Sequence, residues 1–237
     1  MKAPLAGGLA TLNHVWINHG ITDSHELKGQ KKNELIAKVL QGKNLYKANR
    51  RVVSNKGACG VDRMEVTELQ EYLSTHQQKL VREILADQYL PQAIRGVGIP
   101  KSSGKKRLLG IPTVVDRWLQ QAVSQQLMTR FELEFSDHSY GFRPRKNMQQ
   151  ALTQSLTYIN DGYCDIVDID LSKFFDEVAH HKILQLIYEK VKCVTTLRLI
   201  RKWLRAPILI DGKLYKRRKG LPQDERMHPQ GKCPADI

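Results

Sequence analysis

The chain has 237 residues and a formal net charge of +14 at pH 7, from 38 Lys and Arg against 24 Asp and Glu. Hydrophobic residues make up 41% of it, which suffices for a buried core and excludes disorder throughout. Such a cationic excess repels itself unless a polyanion offsets it, so nucleic acid is the leading partner and a membrane surface the competing one. No apolar run approaches the roughly 20 residues of a spanning helix, and no signal-peptide pattern opens the chain, which predicts a soluble cytoplasmic protein without a membrane partner.

The four cysteines are far apart, and none belongs to a Cys-x-x-Cys pair. This spacing indicates neither a zinc site nor a secreted disulfide framework, and buried free thiols are the simpler interpretation. The side chains of the adjacent His180 and His181 point in different directions, which is poor geometry for joint metal ligation. We therefore favour structural or solvated roles for the histidines.

The N-terminal half of the chain is predicted to be mainly helical. Residues 1–30 carry few periodic signals, and we expect an extension that is partly ordered or wraps onto a later element. From Asn33 to Ala48, apolar residues recur at helical spacing among basic ones, which predicts an amphipathic helix with a cationic outer face. A second helix is predicted over Glu65 to Leu85, with a break near Ser74 to Gln77.

A β-hairpin and two helices are predicted next. The strands IRGVGIP and KRLLGIP are joined by the basic turn Lys101-Ser102-Ser103-Gly104-Lys105, a hairpin pattern. A helix over Thr113 to Phe135 has its apolar residues on one stripe and Thr113 as its N-cap. The polar loop FSDHSYGFRPRKN then leads to a helix over Met148 to Asn160, which Asp161-Gly162 ends.

The segment YCDIVDIDL has the near-continuous apolar and β-branched character of a buried strand, in which charged side chains are costly unless they are used. Helices are predicted over His180 to Val191 and Thr195 to Leu204. A hairpin of residues 208–210 and 213–215 around Asp211-Gly212 follows. Together these elements predict a mixed α/β fold in which helices pack on a small antiparallel sheet.

Asp168 and Asp170 end the predicted strand, and alternation along a strand puts both side chains on one face. Carboxylates at a strand end suit a divalent metal that neutralises phosphate charge. The Asp-x-Asp motif alone is a weak signal, because sugar-nucleotide transferases also use it. An equally plain interpretation is that one aspartate caps the following helix through Ser172 or Lys173.

Two further stretches have the composition of phosphate or nucleic-acid sites. Lys101 and the three cations at 105–107 make the hairpin turn a cationic arm that suits a triphosphate, since Lys supplies a point charge and Arg a bidentate fork. Basic hairpin turns are more often simply solvated. The loop SYGFRPRKN interleaves Tyr140 and Phe142 with Arg and Lys, which suits a single strand, and a packed aromatic loop is the alternative.

Five blocks in this order resemble the successive conserved blocks of group II intron reverse transcriptase-maturases. They are NKGACGVDRMEV, GIPKSSGKKRLLGIPTVVDRWLQQAV, FSDHSYGFRPRKN, DIVDIDLSKFFDEVAHHKIL and KRRKGLPQ. The match runs from about Asn33 to Gln223, and the order of the blocks makes it far more specific than any single motif. The resemblance implies a right-hand polymerase fold that copies an RNA template onto a DNA primer from dNTPs, with Mg²⁺ as cofactor.

By position, the resemblance implies a role for each matching residue. Asp170 is implied as the first metal-binding aspartate, together with the backbone carbonyl of Leu171. Phe175 is placed like the aromatic gate that selects deoxynucleotides. Three residues are implied at the incoming nucleotide: Lys101, Arg107 and Gln223. Template or RNA contact is implied for Tyr140, Gly141, Phe142, Arg143, Pro144 and Arg145.

The resemblance also divides the chain. It implies an N-terminal extension at residues 1–30, a fingers region with the basic β-hairpin at 31–160, a partial palm at 161–223 and a divergent tail at 224–237. After Gln223 the family continues with a strand hairpin bearing aromatic-Ala-Asp-Asp, then a thumb and a maturase region. This chain instead reads DERMHPQGKCPADI, which has no periodicity and which we interpret as out of register or truncated.

These expectations bear on activity. The family builds its metal clamp from three carboxylates on two strands, so with Asp170 alone, and Asp168 as a structural or auxiliary charge, we expect no polymerisation by the chain. An exposed sheet edge is expected to favour association with other chains. The polymerase assignment requires that Asp170 face the same cleft as the basic turn around Ser103.

Two other classes of function remain. The first is an RNA-binding, maturase-like module that assists intron splicing without polymerase activity, which salt-sensitive RNA binding without nucleotide incorporation would indicate. The second is an Asp-x-Asp glycosyltransferase. Its fold needs a Gly-rich strand–helix turn near the start of the chain, and we find no such pattern.

Overall fold

The computed structural model describes residues 34–100 and 106–221. Helices α1 (Glu34–Val39), α2 (Gly42–Ser54) and α3 (Leu69–Leu85) precede strands β1 (Ile94–Pro100) and β2 (Lys106–Ile111). Helix α4 (Val114–Phe131) and a 3-10 turn (Glu132–Glu134) lead to α5 (Met148–Asn160). The remaining elements are α6 (Phe174–Glu177), α7 (His180–Val191), α8 (Val194–Arg205), β3 (Ile208–Ile210) and β4 (Lys213–Tyr215).

The breaks in the first helices differ from the prediction over both Asn33 to Ala48 and Glu65 to Leu85. The first is divided into α1 and α2, because Gln41 has extended backbone (φ −60°, ψ 136°). The second, α3, is uninterrupted, since the hydroxyls of Ser74 and Thr75 donate to carbonyls one turn earlier and so fit the helix. No helix among the described residues has the length and apolar character needed to cross a bilayer.

The main core lies between the apolar faces of α1 to α4, α7 and α8. Trp118 on α4 is fully buried in it. Its indole N–H donates to the carbonyl of Leu45 on α2 at 3.0 Å, so the one polar atom of this side chain is satisfied. The contact joins the two helices through both packing and a hydrogen bond.

A buried carboxylate, Asp116, fixes the start of α4 to α8 and to the chain before β1. It accepts hydrogen bonds from Tyr89 Oη (2.7 Å), Thr113 Oγ1 (2.8 Å) and Trp203 Nε1 (2.9 Å). The backbone N–H of Gln92 donates at 3.3 Å. Burial raises the pKa of Asp116, and these hydrogen bonds offset part of that rise. The Thr113 hydroxyl also accepts from the Asp116 N–H, which confirms Thr113 as the N-cap.

The predicted α/β fold with a small sheet is confirmed, with one difference in pairing. The strand order is β2-β1-β3-β4, and both predicted hairpins are present. Strands β1 and β3 run parallel, with Ile94 opposite Ile208, so the sheet is mixed instead of antiparallel. The close approach requires glycine at 96, where a Cβ would lie 2.6 Å from Ile210 Cγ1 and 2.9 Å from Ile208 Cγ2.

The segment YCDIVDIDL at residues 163–171 forms neither helix nor strand. Its apolar side chains are exposed, Ile166 by 85%, Val167 by 81% and Ile169 by 82%. The prediction of a buried strand is therefore wrong for this structure. A strand needs a hydrogen-bonded neighbour and a packed face, and within residues 34–100 and 106–221 this segment has neither.

Helix α5 begins and ends at the predicted residues. Asn147 and Gln150 form a reciprocal capping box at its start, and Asp161 ends it, followed by Gly162 at φ +94°. None of its residues is buried. Its apolar residues are instead exposed: Met148, Leu152, Leu156 and Ile159. The sequence therefore specifies this helix locally, without support from packing.

Candidate active site

Only some of the residues implied for nucleotide binding lie in the part of the chain that the structure describes. Lys101 and Gln223 lie outside the described residues, as does Ser103 of the basic turn. Arg107 is exposed on β2 opposite Ile99 of β1. The expected proximity of the basic turn to Asp170 therefore stays a prediction.

The last described residues return to the turn that follows Asp170. We call residues 174–179 the gate turn and residues 219–221 the docked segment. The N–H of Gly220 donates to the carbonyl of Val178 at 2.8 Å, and the N–H of Leu221 donates to the carbonyl of Phe175 at 2.6 Å. Two backbone hydrogen bonds therefore hold the docked segment against the residue placed like the aromatic gate.

Glycine is required at position 220 by this contact. Its φ is +76°, and a Cβ there would lie 2.5 Å from the carbonyl oxygen of Asp176 and 3.0 Å from that of Phe175. The buried His180 holds the same residue from the other side, since its Nε2 donates to the carbonyl of Gly220 at 2.8 Å. This bond requires the His180 proton on Nε2.

An ion pair closes the edge of the contact. Lys219 Nζ bonds Glu177 Oε2 on the gate turn, and this hydrogen bond and charge lower the pKa of Glu177. Both side chains are exposed, so the pair contributes little to stability. The close backbone approach and His180 are therefore the main restraints on the docked segment.

Phe175 itself is half-buried, and its ring meets that of Phe174 edge-on at a centroid distance of 5.4 Å. Helix α6 starts after Lys173, whose φ is +53°, without any side-chain cap. The structure therefore does not support the alternative in which an aspartate caps this helix. Phe175 packs locally while its backbone carbonyl receives the docked segment.

Asp168, Asp170 and Leu171 are exposed on the extended segment that leads to the gate turn. Carboxylate and carbonyl oxygens are ligands that Mg²⁺ prefers, so the donor chemistry fits this ion. In the part of the chain that the structure describes, three or more His, Cys, Asp or Glu side chains do not gather in one place. The oxygen atoms of these residues are therefore of the type that binds Mg²⁺, but the described residues supply only part of a complete set of ligands.

Arg143 holds the loop between α4 and α5 together. Its guanidinium donates to Glu132 Oε1 at 3.0 and 3.2 Å and to the carbonyl of Ser139 at 3.0 Å. A third acceptor is the carbonyl of Ser136, and the Arg143 side chain is only 7% exposed. It also lies 5.3 Å from the centroid of the Phe135 ring. These contacts use the guanidinium inside the loop.

Other residues of this loop face outward. Phe142 and Arg145 are exposed and have φ of +56° and +61°, a region that costs non-glycine residues of order 1 kcal/mol. Gly141 has open space around it and Pro144 is exposed. Tyr140 is half-buried beneath Lys146 Nζ, 5.0 Å from its ring centroid. The loop therefore presents an aromatic ring and a cation to solvent.

A shallow cavity of about 440 Å³ lies beside the loop. Tyr140 and Lys146 form one wall, and polar side chains of α5 form the other. Their amide and hydroxyl groups can donate and accept hydrogen bonds without a net charge.

Residues 99–231, more than half of the chain, match the sequence profile of the reverse transcriptase (RNA-dependent DNA polymerase) family. The chain belongs to this family. The match extends past Gln223 into the tail that the sequence predicted to diverge.

The relatives identify the branch of the reverse transcriptase family. Protein YkfC of Escherichia coli (strain K12) is 33% identical over 201 residues, which cover 82% of this chain and 53% of YkfC. The group II intron-encoded protein LtrA of Lactococcus lactis subsp. cremoris is 32% identical over 185 residues, 78% of this chain and 31% of LtrA. These matches support the group II intron reverse transcriptase/maturase type. The chain spans about half of YkfC and about a third of LtrA.

A solved structure shows the fold independently. A chain of a partial Cas6-RT-Cas1–Cas2 complex superposes with a TM-score of 0.52 at 21% identity, covering 81% of this chain and 31% of that one. At this identity the likeness concerns the backbone arrangement alone.

Sequence reasoning missed several residues that organise the candidate site. His180 was grouped with the solvated or structural histidines, and nothing local indicates its bond to residue 220. Gly220, between a basic run and Leu221-Pro222, carried a usable signal, since an isolated glycine there suggests a positive φ. Arg217 belongs to the same basic run but is half-buried, and it donates to the carbonyls of Trp203 and Ala206 at the end of α8.

Proposed function

We propose that the chain is the nucleotide- and template-binding part of a group II intron-encoded RNA-directed DNA polymerase, acting in the cytoplasm on RNA template, DNA primer and dNTP. The observation that carries this proposal is the docking of residues 219–221 on the gate turn. Leu221 bonds the backbone of Phe175, and two further residues reach at most about 7 Å. Gln223 and Phe175 are therefore proposed to contact the same nucleotide.

The four-stranded sheet connects the two regions proposed to contact the nucleotide, with β2 at one edge and β4 at the other. Arg107 lies on β2, and β4 in the same sheet leads directly into residues 216–221. A rigid sheet can thus position both a cation for phosphate oxygens and the segment beside Phe175. We propose Arg107 for the triphosphate on this basis, and Lys101, which lies outside the described residues, on the sequence resemblance alone.

Asp170 and the carbonyl of Leu171 would hold Mg²⁺. When bound, this ion neutralises phosphate charge and lowers the pKa of the attacking hydroxyl. Within residues 34–100 and 106–221, the segment that carries both residues is exposed and pairs with no strand, so its oxygens are not preorganised and would bind the ion weakly. We therefore propose that this polypeptide, on its own, binds its ligands but does not polymerise DNA.

The template is proposed to run along the loop between α4 and α5. Phe142 and Arg145 are its outward contacts, one for base stacking and one for phosphate. Tyr140, Gly141 and Pro144 shape the same surface. Arg143 acts as a positioning residue here, because its guanidinium is already bonded within the loop.

Primer extension tests the activity. The purified chain is incubated with an RNA template annealed to a labelled DNA primer, dNTPs and Mg²⁺, and we expect binding without extension. Extension that Asp170→Asn abolishes would show that the polypeptide is active, against the proposed deficiency. Extension that survives Asp170→Asn would overturn the assignment of Asp170.

Nucleotide binding tests the site separately. We expect calorimetric titration of the chain with dTTP and Mg²⁺ to show binding that Arg107→Ala weakens at least fivefold. Arg82→Ala is the matched control, since Arg82 is an exposed arginine on α3. Equal losses in both variants, or no dTTP binding by the wild type, would contradict the nucleotide site.

The second candidate is an RNA-binding, maturase-like module. Two observations favour this candidate. The Asp170 segment is exposed, and the basic N-terminal helices that would bind RNA are well packed. RNA binding that weakens steeply with salt, together with no dTTP binding, would favour this candidate.

A further inference from the structure

An apolar groove of about 350 Å³ lies where helices α4, α7 and α8 meet. Eight of the ten side chains that line it are apolar, and the other two, Gln120 and Ser124, carry no charge. We call it the α4 groove, because most of its residues belong to that helix. Its walls include Leu127, Met128, Phe131, Phe135, Ile187 and Ile200.

The walls of the α4 groove are partly open to solvent. Phe135 is 44% exposed, and Leu127, Phe131 and Ile187 are half-buried. Removing such apolar surface from water is favourable. A cavity of about 150 Å³ holds one benzene-sized group, so this groove has room for about two large apolar side chains. It therefore suits a segment that carries two such side chains one helical turn apart.

The start of α1 brings the preceding residues close to this groove. Glu34 is the first described residue. The hydrogen bond and charge of Lys38 lower the pKa of Glu34, and the charge of Arg130 in the last turn of α4 lowers it further. Arg130 precedes the groove residue Phe131, and α1 packs against both α4 and α8. The chain therefore enters the described fold beside one end of the groove.

Residues 1–33 lie outside the described residues, and their sequence has the composition of a segment that packs on a core. Residues 3–22, APLAGGLATLNHVWINHGIT, include no Asp, Glu, Lys or Arg, although these make up 26% of the whole chain. Within this stretch Leu9, Leu12 and Trp16 recur at intervals of three and four, the spacing of one helix face. Leu12 and Trp16 are thus large apolar side chains one helical turn apart.

Other parts of the polypeptide fit the groove less well. Residues 222–237 include acidic and basic side chains and three prolines, and they follow the docked segment at the gate turn. A second copy of the chain could supply the same apolar stretch. Within one chain, however, residues 18–33 can span about 55 Å, and such a tether raises the effective concentration of the stretch to the millimolar range. The occupant that these observations favour is therefore the chain's own N-terminal part.

We propose that residues 9–17 of this chain pack into the α4 groove, with Leu12 and Trp16 as the side chains that fill it. Helix α7 packs chiefly on α8, and the groove lies between α7 and α4. Filling the groove joins these two helices and so steadies α7, whose first residue, His180, holds Gly220. The inference does not depend on the proposed function, since no groove residue is assigned to nucleotide, metal or template.

Photo-cross-linking of the full chain tests the location. The photoreactive amino acid p-benzoylphenylalanine replaces Trp16, and mass spectrometry identifies the peptides that become linked on irradiation. We expect links within one chain to residues 120–135 of α4 and the turn after it. The same probe in place of Leu214, which is 63% exposed on β4, should not link to these residues. Links that join two copies, links chiefly to α5, or no link to the groove would overturn the proposal.

A charge placed in the groove tests the same contact from the other side. Ser124 lines the groove and is exposed, so Ser124→Glu adds a carboxylate there without entering the core. We expect the yield of the link from position 16 to fall at least fivefold. Thr129→Glu is the matched control, since Thr129 is exposed on the same helix and does not line the groove. Equal yields in the two variants would contradict docking in the groove.

Hydrogen exchange tests the effect on α7. In the full chain with Leu12→Ser and Trp16→Ser, we expect the amides of α7 to exchange at least fivefold faster, while those of α2 keep their rates. Ile21→Ser with Leu27→Ser is the control, since it removes two apolar side chains outside residues 9–17. Equal acceleration by both pairs, or none by the first, would refute the proposed bridge between α4 and α7. Circular dichroism establishes that each variant is folded.

Discussion

Helices α2 and α5 have the same length but differ in how far they are buried. Each has 13 residues, yet six residues of α2 are buried and none of α5 is. Helix α2 packs on α4 and α3, whereas α5 and the segment after it keep their apolar residues in solvent. Local sequence therefore determines where a helix forms, and only a packing partner determines whether its apolar face contributes to stability.

The largest expected effect lies in the packed half. Trp118→Ala removes a fully buried side chain and its bond to the Leu45 carbonyl, and we expect a loss of about 4 kcal/mol in the free energy of unfolding. Urea denaturation measures it. Leu152→Ala on α5 is the control, with an expected change below about 0.5 kcal/mol because this side chain is exposed. Similar losses in both variants would remove the contrast between the two helices.

A smaller effect is expected at Asp116. Asp116→Asn keeps the shape of the side chain but turns an N–H₂ group toward donors such as Trp203 Nε1, and we expect a loss of about 2 kcal/mol at pH 7. Chemical denaturation of both proteins between pH 4 and 8 gives the comparison.

The difference in stability between the wild type and Asp116→Asn should change with pH in a definite direction. Burial raises the pKa of Asp116 in the folded state above its ordinary value of 3.8, so the folded chain binds this proton more tightly than the unfolded one. The stability advantage of the wild type over Asp116→Asn should therefore shrink as the pH rises from about 4 through the raised pKa. An advantage that grows over this interval would contradict the raised pKa.

A substitution at Gly220 should loosen the docked segment without affecting the main core. Gly220→Ala places a Cβ against the Asp176 carbonyl at a φ of +76°, and we expect about 1 kcal/mol of destabilisation. Hydrogen exchange of the Leu221 amide should accelerate while the amides of α4 keep their protection. Gly141→Ala is the matched control, since nothing lies within 4 Å of a Cβ at that position.

The smallest effect is expected on the exposed segment. Ile166→Ser changes a side chain that is 85% exposed, so the free energy of unfolding should change by less than about 0.5 kcal/mol. A loss above about 2 kcal/mol would indicate that this segment is a buried strand in solution. Val52→Ser on α2 is the buried counterpart, for which such a loss is expected.

Local patterns predicted much of the fold. Signals that lie within a few residues of one another in the sequence predicted several elements correctly. They gave the bounds of α5 and α7, both hairpins and the Thr113 cap. They did not give the break at Gln41, because Leu40 on its N-terminal side stays in the core and the apolar pattern continues across it. The apolar run at residues 163–171 indicated a strand former, but a sequence pattern does not show whether a partner strand is present.

The candidate site was predictable in kind more than in detail. The ordered motifs gave the family and singled out Phe142 and Arg145, which the structure then shows to be exposed. They did not give the bond from Arg143 to Glu132, because two residues eleven positions apart meet only once the loop has folded. The contact of residue 220 with His180 spans forty positions and has no local signature.

The parallel pairing of β1 with β3 has a consequence for synthesis of the chain. Ile94 meets Ile208 across 114 residues, so the ribosome must add all of these residues before β1 gains its second neighbour. Until then the inner edge of β1 is available to other strands, and contacts so distant in sequence slow folding. Chaperone dependence during translation should therefore concentrate on this edge.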